Sequence, residues 1–556
     1  MDGLQTSALD RETLQLTLES IRAFGKAKLG DSALLGFDAA DEFPESIVRG
    51  MGSAELGIQL LFIPIEYGGM GGGAFDVYRV CELLARIDLG IATGVLATFL
   101  GSDPIVFGGT KEQQQRWLGR IADEGLLMAY AATEPQAGSD LAALRTSATP
   151  VEKDGRVVGY TIDGTKQWIS NGGYADLYTV LANTPKGPSW FVVDRGTEGL
   201  SFGPPEDKHG IRASNTAALT FDELFVEAER LVGREEGLGL KQAQDVFGFT
   251  RLMVAAFGLG AGWAALDRAI EYSLERKQGG SPLADKQGYT HKLIVPHAVR
   301  LEAARALIEE TAERIDAGEG SLNTEGAVAK YLASEAGDAA ADAAIQALGG
   351  YGYAREYMVE KIKRDVRITR IYEGTSEILE MTIARDRWQQ HLKSRGQHYH
   401  REAEELERLA AEGADFGAAT VALGLHALGE LLERARADRL TRNQHVLFRL
   451  GATIARMEGA ACLARRAARS RAGKLCDKAD GRLNAEGLAV ASRIYAREAA
   501  LGTVAEALQW VAGAQVEGDD RARSFEEALG LSAIHRAQVG QVQDMDRFAD
   551  LLYRRS

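Results

Sequence analysis

The spacing of apolar residues changes twice along this chain and divides it into blocks of different secondary structure. Residues up to about 125 carry apolar side chains three or four positions apart, as in Thr13–Phe24 and Val77–Ile87, which predicts helices. From about residue 127 to about Gly233, short β-branched and aromatic runs predict a compact β domain. Helical periodicity returns near residue 240 and continues to about 390. The predicted fold is mainly α with a central β domain, in an α–β–α order.

The β block contains three runs that predict strands, each bounded by glycine, proline or asparagine. They are Val157–Ile162, Leu177–Leu181 and Trp190–Val193. The first run ends in Asp163–Gly164, a dipeptide typical of two-residue hairpin turns. We therefore expect a hairpin turn at that position.

Residues 395–556 form a further block that contains no proline and is rich in alanine, leucine and arginine. This composition predicts helices throughout, and hence an additional C-terminal α-helical domain. One stretch shows a seam of apolar side chains that a helix would turn toward a partner surface. The seam consists of Leu447, Leu450, Ile454, Met457 and Ala461.

Length and charge limit the class of protein. At 556 residues the chain is too long for one ordinary domain, and 45% apolar with 26% charged residues is typical of a soluble globular protein. A net charge of −15 argues against a dedicated nucleic-acid binder, which needs a clustered positive surface. The three cysteines have no zinc or disulfide-type spacing, so we predict no metal site and a reducing compartment.

The N-terminal residues show neither the basic and apolar regions of a signal peptide nor an arginine-rich transit peptide, which predicts a cytoplasmic protein. Two long uncharged runs, Leu89–Ser102 and Leu252–Leu266, are shorter than a membrane span and predict buried helices.

Three separated segments carry the functional signal. They are Tyr130–Asp140, with the sequence YAATEPQAGSD; Lys166–Gly173, with KQWISNGG; and Arg364–Glu377, with RDVRITRIYEGTSE. In this order and at this separation they resemble the acyl-CoA dehydrogenase family of FAD flavoproteins, over about residues 20–390. The C-terminal block resembles, in position and texture, the helical extension of the very-long-chain branch. The resemblance implies a helical domain at 1–125, a β domain at 126–236, a catalytic four-helix bundle at 237–394 and an extension at 395–556.

The resemblance implies desaturation of an acyl-CoA thioester, with Glu373 as the base that removes the α-proton. A carboxylate in a water-poor pocket gains basicity because burial disfavours its charged form, and Ile371 and Tyr372 suit such a pocket. Some branches of the family take the base from a helix equivalent to Phe247–Arg251 instead. That helix offers no carboxylate between Val246 and Ala265, so we place the base at Glu373.

The resemblance also implies which residues bind FAD and acyl-CoA. Two departures from the family pattern are Gly279, where an aromatic residue is common, and Gly248, where several relatives have an acidic residue. The implied FAD contacts are Tyr130, Thr133, Ser139, Trp168 and Ser170, then Arg276, Gln287, Gln346, Gly349 and Gly350 from a neighbouring subunit, and Thr375 and Glu377 beside the adenosine. The implied substrate contacts are Ser139, Arg251, Tyr372 and Gly374.

Two glycine-rich stretches, Gly69–Ala74 and Gly260–Ala265, fit the spacing GxGxxA but do not visibly follow a strand and open a helix in a βαβ unit. FAD is therefore expected to bind without a dinucleotide-binding fold.

The implied partners are electron-transferring flavoprotein as electron acceptor and a second copy of the chain, since Arg276 and Gln346 would serve a neighbour's FAD. The alternatives are an acyl-CoA oxidase that reduces oxygen and a nucleic-acid-binding flavoprotein of the same fold. Between Arg434 and Lys474 there are eleven basic and two acidic residues. This stretch predicts either intramolecular pairing with the acidic remainder or peripheral contact with anionic lipid.

Overall fold

In the computed structural model the chain is described over residues 8–514 and 519–555. The N-terminal residues 1–7, on which the absence of a leader was predicted, lie outside this range. The first helices are α1 (Arg11–Lys28), α2 (Asp31–Ala40), α3 (Glu45–Arg49), α4 (Ala74–Ile87), α5 (Leu89–Gly108) and α6 (Lys111–Glu124). The strands that follow are β1 (Met128–Ala131), β2 (Ser147–Lys153), β3 (Arg156–Ser170), β4 (Leu177–Thr184), β5 (Gly187–Asp194), β6 (Leu200–Phe202) and β7 (Thr216–Glu227).

Helices then dominate the described part of the chain. They are α7 (Gly239–Glu275), α8 (Gln287–Leu293), α9 (Val295–Asp316), α10 (Asn323–Leu348), α11 (Gly350–Tyr353), α12 (Met358–Val366) and α13 (Ser376–Lys393), with a small hairpin of β8 (Lys277–Gln278) and β9 (Ser281–Pro282) between α7 and α8. The last block contains α14 (His398–Ala411), α15 (Ala418–Ala437), α16 (Gln444–Arg471), α17 (Ala485–Glu506), α18 (Asp519–Ala528), α19 (Leu531–Ala537) and α20 (Gln541–Leu552). The predicted α–β–α order and the additional helical block are confirmed.

The chain divides into two compact units. The first comprises Met1–Met253, Ala312–Asn323 and Arg364–Ile368, and the second comprises Val254–Thr311, Thr324–Lys363 and Thr369–Ser556. The first unit contains a seven-stranded sheet in the order β1-β4-β2-β3-β7-β6, with β5 paired to β4. Strand β4 is buried on both faces, which explains its nearly continuous apolar sequence.

The expected hairpin turn at Asp163–Gly164 is wrong. Strand β3 runs straight through both residues, and the turn between β2 and β3 lies at Asp154–Gly155, where both residues have positive φ (53° and 72°). At Asp163 the ladder with β7 is interrupted by a bulge, and the Asp163 carboxylate accepts a hydrogen bond from the backbone N–H of Glu223 at 2.9 Å. An Asp–Gly dipeptide is compatible with both a hairpin turn and a β-bulge. The local sequence alone therefore could not show which of the two forms here.

Within the described residues, two helices are long and apolar enough to cross a membrane by length and composition, α5 and the Gly248–Glu275 part of α7. In each, 94% of the most apolar window is buried inside the fold. They are therefore core helices, as the two uncharged runs predicted.

In the second unit the extension packs closely on α13. An added Cβ at Gly451 of α16 would lie 2.1 Å from the backbone oxygen of Glu380 on α13, so a side chain there would separate the two helices. We expect Gly451→Ala to lower the free energy of unfolding by about 1–3 kcal/mol, despite the higher helix propensity of alanine. Denaturant unfolding followed by circular dichroism would measure it. Gly481→Ala is the control, because nothing lies within 4 Å of its added Cβ; equal stabilities of the two variants would contradict the prediction.

Part of the basic stretch from Arg434 to Lys474 is neutralised within the second unit. At least five of its arginines form ion pairs with carboxylates, which supports the intramolecular-pairing interpretation over a lipid or nucleic-acid surface. The pairs are Arg434–Asp438, Arg436–Glu433, Arg449–Glu506, Arg465–Glu310 and Arg466–Glu309.

Candidate active site

In the first unit, a buried ion pair joins two of the segments that the sequence analysis singled out. The Lys166 ammonium donates to Glu134 Oε1 at 2.8 Å and to the backbone oxygen of Ala132 at 3.0 Å. The Glu134 carboxylate also accepts from the backbone N–H groups of Arg145 at 2.7 Å and Thr146 at 2.9 Å. The Lys166 and Glu134 side chains are 0% and 1% exposed. The pair thus fixes the TEPQAGSD turn to strand β3.

Both partners are charged near neutral pH. Burial raises the pKa of Glu134, but the hydrogen bonds from Lys166 and from the 145–146 backbone outweigh it and lower that pKa to about 2. Burial lowers the pKa of Lys166 to about 8, against the opposite effect of Glu134. Sequence reasoning missed this pair, although both charges lie inside the motifs that it identified.

Directly after Lys166, a bulge in β3 turns one aromatic side chain outward. The pairing of β3 with β7 shifts between Lys166 and Ile169, and Trp168 takes a φ of 63° with 59% of its surface exposed. The backbone N–H of Gln167 donates to the backbone oxygen of Thr133 at 2.9 Å, so Thr133 lies beside the bulge. The structure therefore brings Thr133, Trp168 and Ser170 to one bulge, where the Trp168 side chain is exposed.

The other predicted residues of the first unit lie on β1, on the turn that Glu134 anchors and on α7. Tyr130 on β1 packs its ring on Trp190 with the centroids 4.7 Å apart, and Ser139 is exposed on the turn that Glu134 anchors. Arg251 is buried on α7 and donates to the backbone oxygen of Asn323 at 3.2 Å. Near it, an added Cβ at Gly248 would lie 1.6 Å from the backbone oxygen of Ser321. Glycine at 248 thus admits the 318–323 loop where some relatives have an acidic side chain.

In the second unit, Glu373 lies on a loop with left-handed backbone, immediately before α13. Glu373 and Gly374 have φ values of 52° and 93°, and the Glu373 side chain is half-buried. A non-glycine residue at positive φ costs about 1 kcal/mol or more, so the surrounding structure must hold it. Tyr372 is half-buried but Ile371 is 48% exposed, so Ile371 does not close the pocket predicted around the carboxylate within this unit.

Two contacts hold this loop at its C-terminal end. The fully buried Lys330 ammonium donates to the backbone oxygen of Gly374 at 2.6 Å. The Thr375 hydroxyl caps α13 by accepting from the backbone N–H of Ile378 at 3.3 Å. Glu377 is exposed in the first turn of α13.

Carboxylates on α10 bind residues on both sides of this loop. They form ion pairs with Arg370, which precedes the loop in the same unit, and accept a hydrogen bond from Ser376, the first residue of α13. The Arg370 guanidinium pairs with Glu335 at 2.7 Å and with Asp338 at 3.0 Å. The Ser376 hydroxyl donates to the same Glu335 carboxylate at 2.6 Å. Because both ends of the loop are tied to α10, Glu373 is presented by a fixed backbone.

The residues predicted to reach a neighbour's cofactor form two groups in the second unit. Arg276 is exposed just after α7, and Gln287 begins α8 on the far side of the β8–β9 hairpin. Gln346, Gly349 and Gly350 lie where α10 ends, and all three are exposed. Within the hairpin, Gly279 and Gly280 have φ values of 55° and 88°, which accounts for glycine rather than an aromatic residue at 279.

Comparison with known proteins decides the family. Models of the N-terminal, middle and C-terminal domains of acyl-CoA dehydrogenase match residues 11–125, 129–224 and 237–387. This chain belongs to the acyl-CoA dehydrogenase family. It is 36% identical over 373 residues to acyl-CoA dehydrogenase of Bacillus subtilis, covering 66% of this chain and 95% of that one.

Two solved structures show how far the likeness extends. A chain described with the electron transferring flavoprotein of Acidaminococcus fermentans, in a study of flavin-based electron bifurcation, is 33% identical with a TM-score of 0.63, covering 68% of this chain and 98% of that chain. Acyl-CoA dehydrogenase complexed with FAD from Bacillus anthracis is 23% identical with a TM-score of 0.82, covering 99% of this chain and 96% of that chain. The second likeness shows that the fold of the extension also recurs in this acyl-CoA dehydrogenase. The roles of individual site residues stay predictions.

Proposed function

We propose that this acyl-CoA dehydrogenase family member converts an acyl-CoA thioester to 2-enoyl-CoA, with FAD as cofactor and Glu373 as base. The observation that carries the proposal is the loop at 371–375, which presents one carboxylate on a left-handed backbone tied to Lys330. A base must keep a fixed position relative to the carbon it deprotonates, and a rigid loop provides this.

In the proposed reaction the Glu373 carboxylate takes the α-proton of the acyl group. As the Cα–H bond breaks, negative charge moves to the thioester oxygen, and the backbone N–H of Glu373 donates to that oxygen. The β-hydrogen leaves with its electron pair, and the Cα–Cβ double bond forms. FAD, when bound, supplies the acceptor for this hydride.

The residues around the β3 bulge suit a flavin. The exposed Trp168 indole offers a flat face for an isoalloxazine ring, and Thr133 and Ser170 add hydroxyl groups near the same bulge. A tryptophan held at positive φ with 59% of its surface exposed leaves a large apolar area uncovered by the fold, which supports a ligand-facing role. The FAD complex of the Bacillus anthracis relative supports the same cofactor here.

We further propose electron-transferring flavoprotein as the acceptor of electrons and a homodimer as the assembly. The Acidaminococcus fermentans study supports the first. Arg276, Gln346 and Gly349 are exposed on one unit, and they are predicted to contact FAD bound by a second copy of the chain. Their exposure supports the homodimer. A tetramer in light scattering would overturn the dimer.

Anaerobic titration of the purified protein with a panel of acyl-CoAs tests the reaction. We expect a yellow protein whose flavin absorbance at about 450 nm is bleached by at least one acyl-CoA of the panel. Bleaching should need on the order of one equivalent of that acyl-CoA per flavin. Rapid peroxide release under air without another acceptor would favour the oxidase alternative. A preparation that neither binds flavin nor bleaches would overturn the proposal.

A further inference from the structure

The last residues of the extension lie against the segment that carries Arg276 and Gln287. We call residues 541–555 the C-terminal brace and residues 276–287 the cationic hairpin. Both belong to the second unit, and helix α20 of the brace packs beside α8.

The brace contacts this region at three separated points. The Asp546 carboxylate accepts from the side-chain amide of Gln287 at 2.8 Å and lies 3.1 Å from His291 Nε2. The Tyr553 hydroxyl lies 2.8 Å from the hydroxyl of Ser273, and both side chains are buried. The Tyr553 contact thus lies directly before the hairpin, in the last turn of α7, and the Asp546 contact lies at the C-terminal end of the hairpin.

The third contact lies between these two. The Arg555 guanidinium donates to the backbone oxygen of Ala284 at 2.6 Å and approaches Asp285 to 3.7 Å. It also lies over the Tyr553 ring, 4.8 Å from the centroid. The brace therefore holds the hairpin through backbone as well as side-chain atoms, and brings a positive charge to its one internal carboxylate.

The hairpin itself has the charge of an anion-binding segment. Arg276 and Lys277 are exposed at its start, and the Lys286 ammonium lies 3.8 Å from an added Cβ at Gly279, across the turn. The hairpin thus carries three cationic residues around a turn of two glycines, with Lys286 beside that turn. A two-stranded hairpin this short has little stability of its own. Ordering such an arm before a diphosphate binds would reduce the entropy lost on binding.

We infer that the C-terminal brace positions the cationic hairpin for the diphosphate of the dinucleotide cofactor, with Asp546 acting through Gln287. The inference rests on the proposed function, in which Arg276 and Gln287 reach FAD. It assigns the extension a role in retaining the cofactor rather than in binding a separate ligand.

The test measures release of FAD from the holoenzyme by the rise in flavin fluorescence after dilution. We expect Asp546→Ala and Tyr553→Phe each to speed release about fivefold to tenfold, since each removes one hydrogen bond between the brace and the hairpin or the turn of α7 directly before it. Tyr553→Phe leaves the Ser273 hydroxyl donating to the backbone oxygen of Ile270 at 2.7 Å, so the fold is little disturbed. The matched control is Arg547→Gln, which breaks the exposed pair with Glu486 one residue along the same helix.

A double-mutant cycle separates positioning from general destabilisation. If Asp546 acts through Gln287, the double variant Asp546→Ala/Gln287→Ala releases FAD no faster than Gln287→Ala alone. Additive effects, or release rates equal to that of Arg547→Gln, would overturn the inference. A wild-type protein that holds no flavin would instead overturn the proposed function, so the two failures are distinguishable.

Discussion

Replacing Glu373 with glutamine should lower the rate of flavin bleaching by acyl-CoA at least about 10³-fold, at the upper part of the range for loss of a general base. Glutamine has nearly the same shape and keeps the left-handed loop, but it cannot take up the α-proton. A 10³-fold loss corresponds to about 4 kcal/mol of transition-state stabilisation. Stopped-flow absorbance under anaerobic conditions measures the rate. Flavin content and the spectral shift on adding acyl-CoA should remain, because the contacts of Lys330 and Thr375 are untouched.

The control for this experiment is Glu356→Gln, an exposed carboxylate of the same unit that lies outside the loop. It should bleach within about twofold of the wild-type rate, because surface carboxylates contribute little. If Glu373→Gln bleaches at more than a tenth of the wild-type rate, Glu373 is not the base, and another group takes the α-proton.

The order of helices and strands could be predicted because the spacing of apolar residues is a local property, visible within about twenty residues of sequence. The runs at 157–162, 177–181 and 190–193 all lie in strands, and the apolar stretches at 89 and 252 lie in buried helices. The family followed from three spaced motifs in the same way.

The supports of the site could not be predicted, because they join residues far apart in sequence. Lys330 and Gly374 are 44 positions apart, and Gln287 and Asp546 are 259 apart. A single lysine or aspartate on a helix looks like any surface charge until the fold brings its partner to it. Strand β3 shows the same limit at short range, since a bulge and a hairpin turn use the same residue types.

Replacing Lys166 with methionine should destabilise the protein by about 3–5 kcal/mol, because the Glu134 carboxylate would stay buried without its cation. For a unit of about 250 residues, this lowers the midpoint of thermal unfolding by about 10 °C. Flavin content should also fall, because the bulge that exposes Trp168 begins at the next residue. Differential scanning calorimetry and the ratio of flavin to protein absorbance measure the two effects.

The double variant Lys166→Met/Glu134→Gln is the control. Glutamine removes the buried negative charge. Arg145 and Thr146 donate to different oxygens of Glu134, so the single side-chain oxygen of glutamine keeps one of these two backbone hydrogen bonds. We expect the double variant to regain at least about half of the lost stability. If it is as unstable as Lys166→Met alone, the loss comes from packing of the lysine stem and not from an unpaired charge.

Acid titration gives an independent measure of the same pair. The folded-state pKa of Glu134 is lowered to about 2, below its value of about 4.3 in an unfolded chain. The carboxylate therefore contributes its stability in full above about pH 4.3 and loses it as the pH falls toward 2. In Lys166→Met the carboxyl can be buried neutral at low pH, so the difference in midpoint from wild type should shrink over that window. A difference that stays constant from pH 7 to pH 3 would show that the charge of Glu134 is not what Lys166 balances.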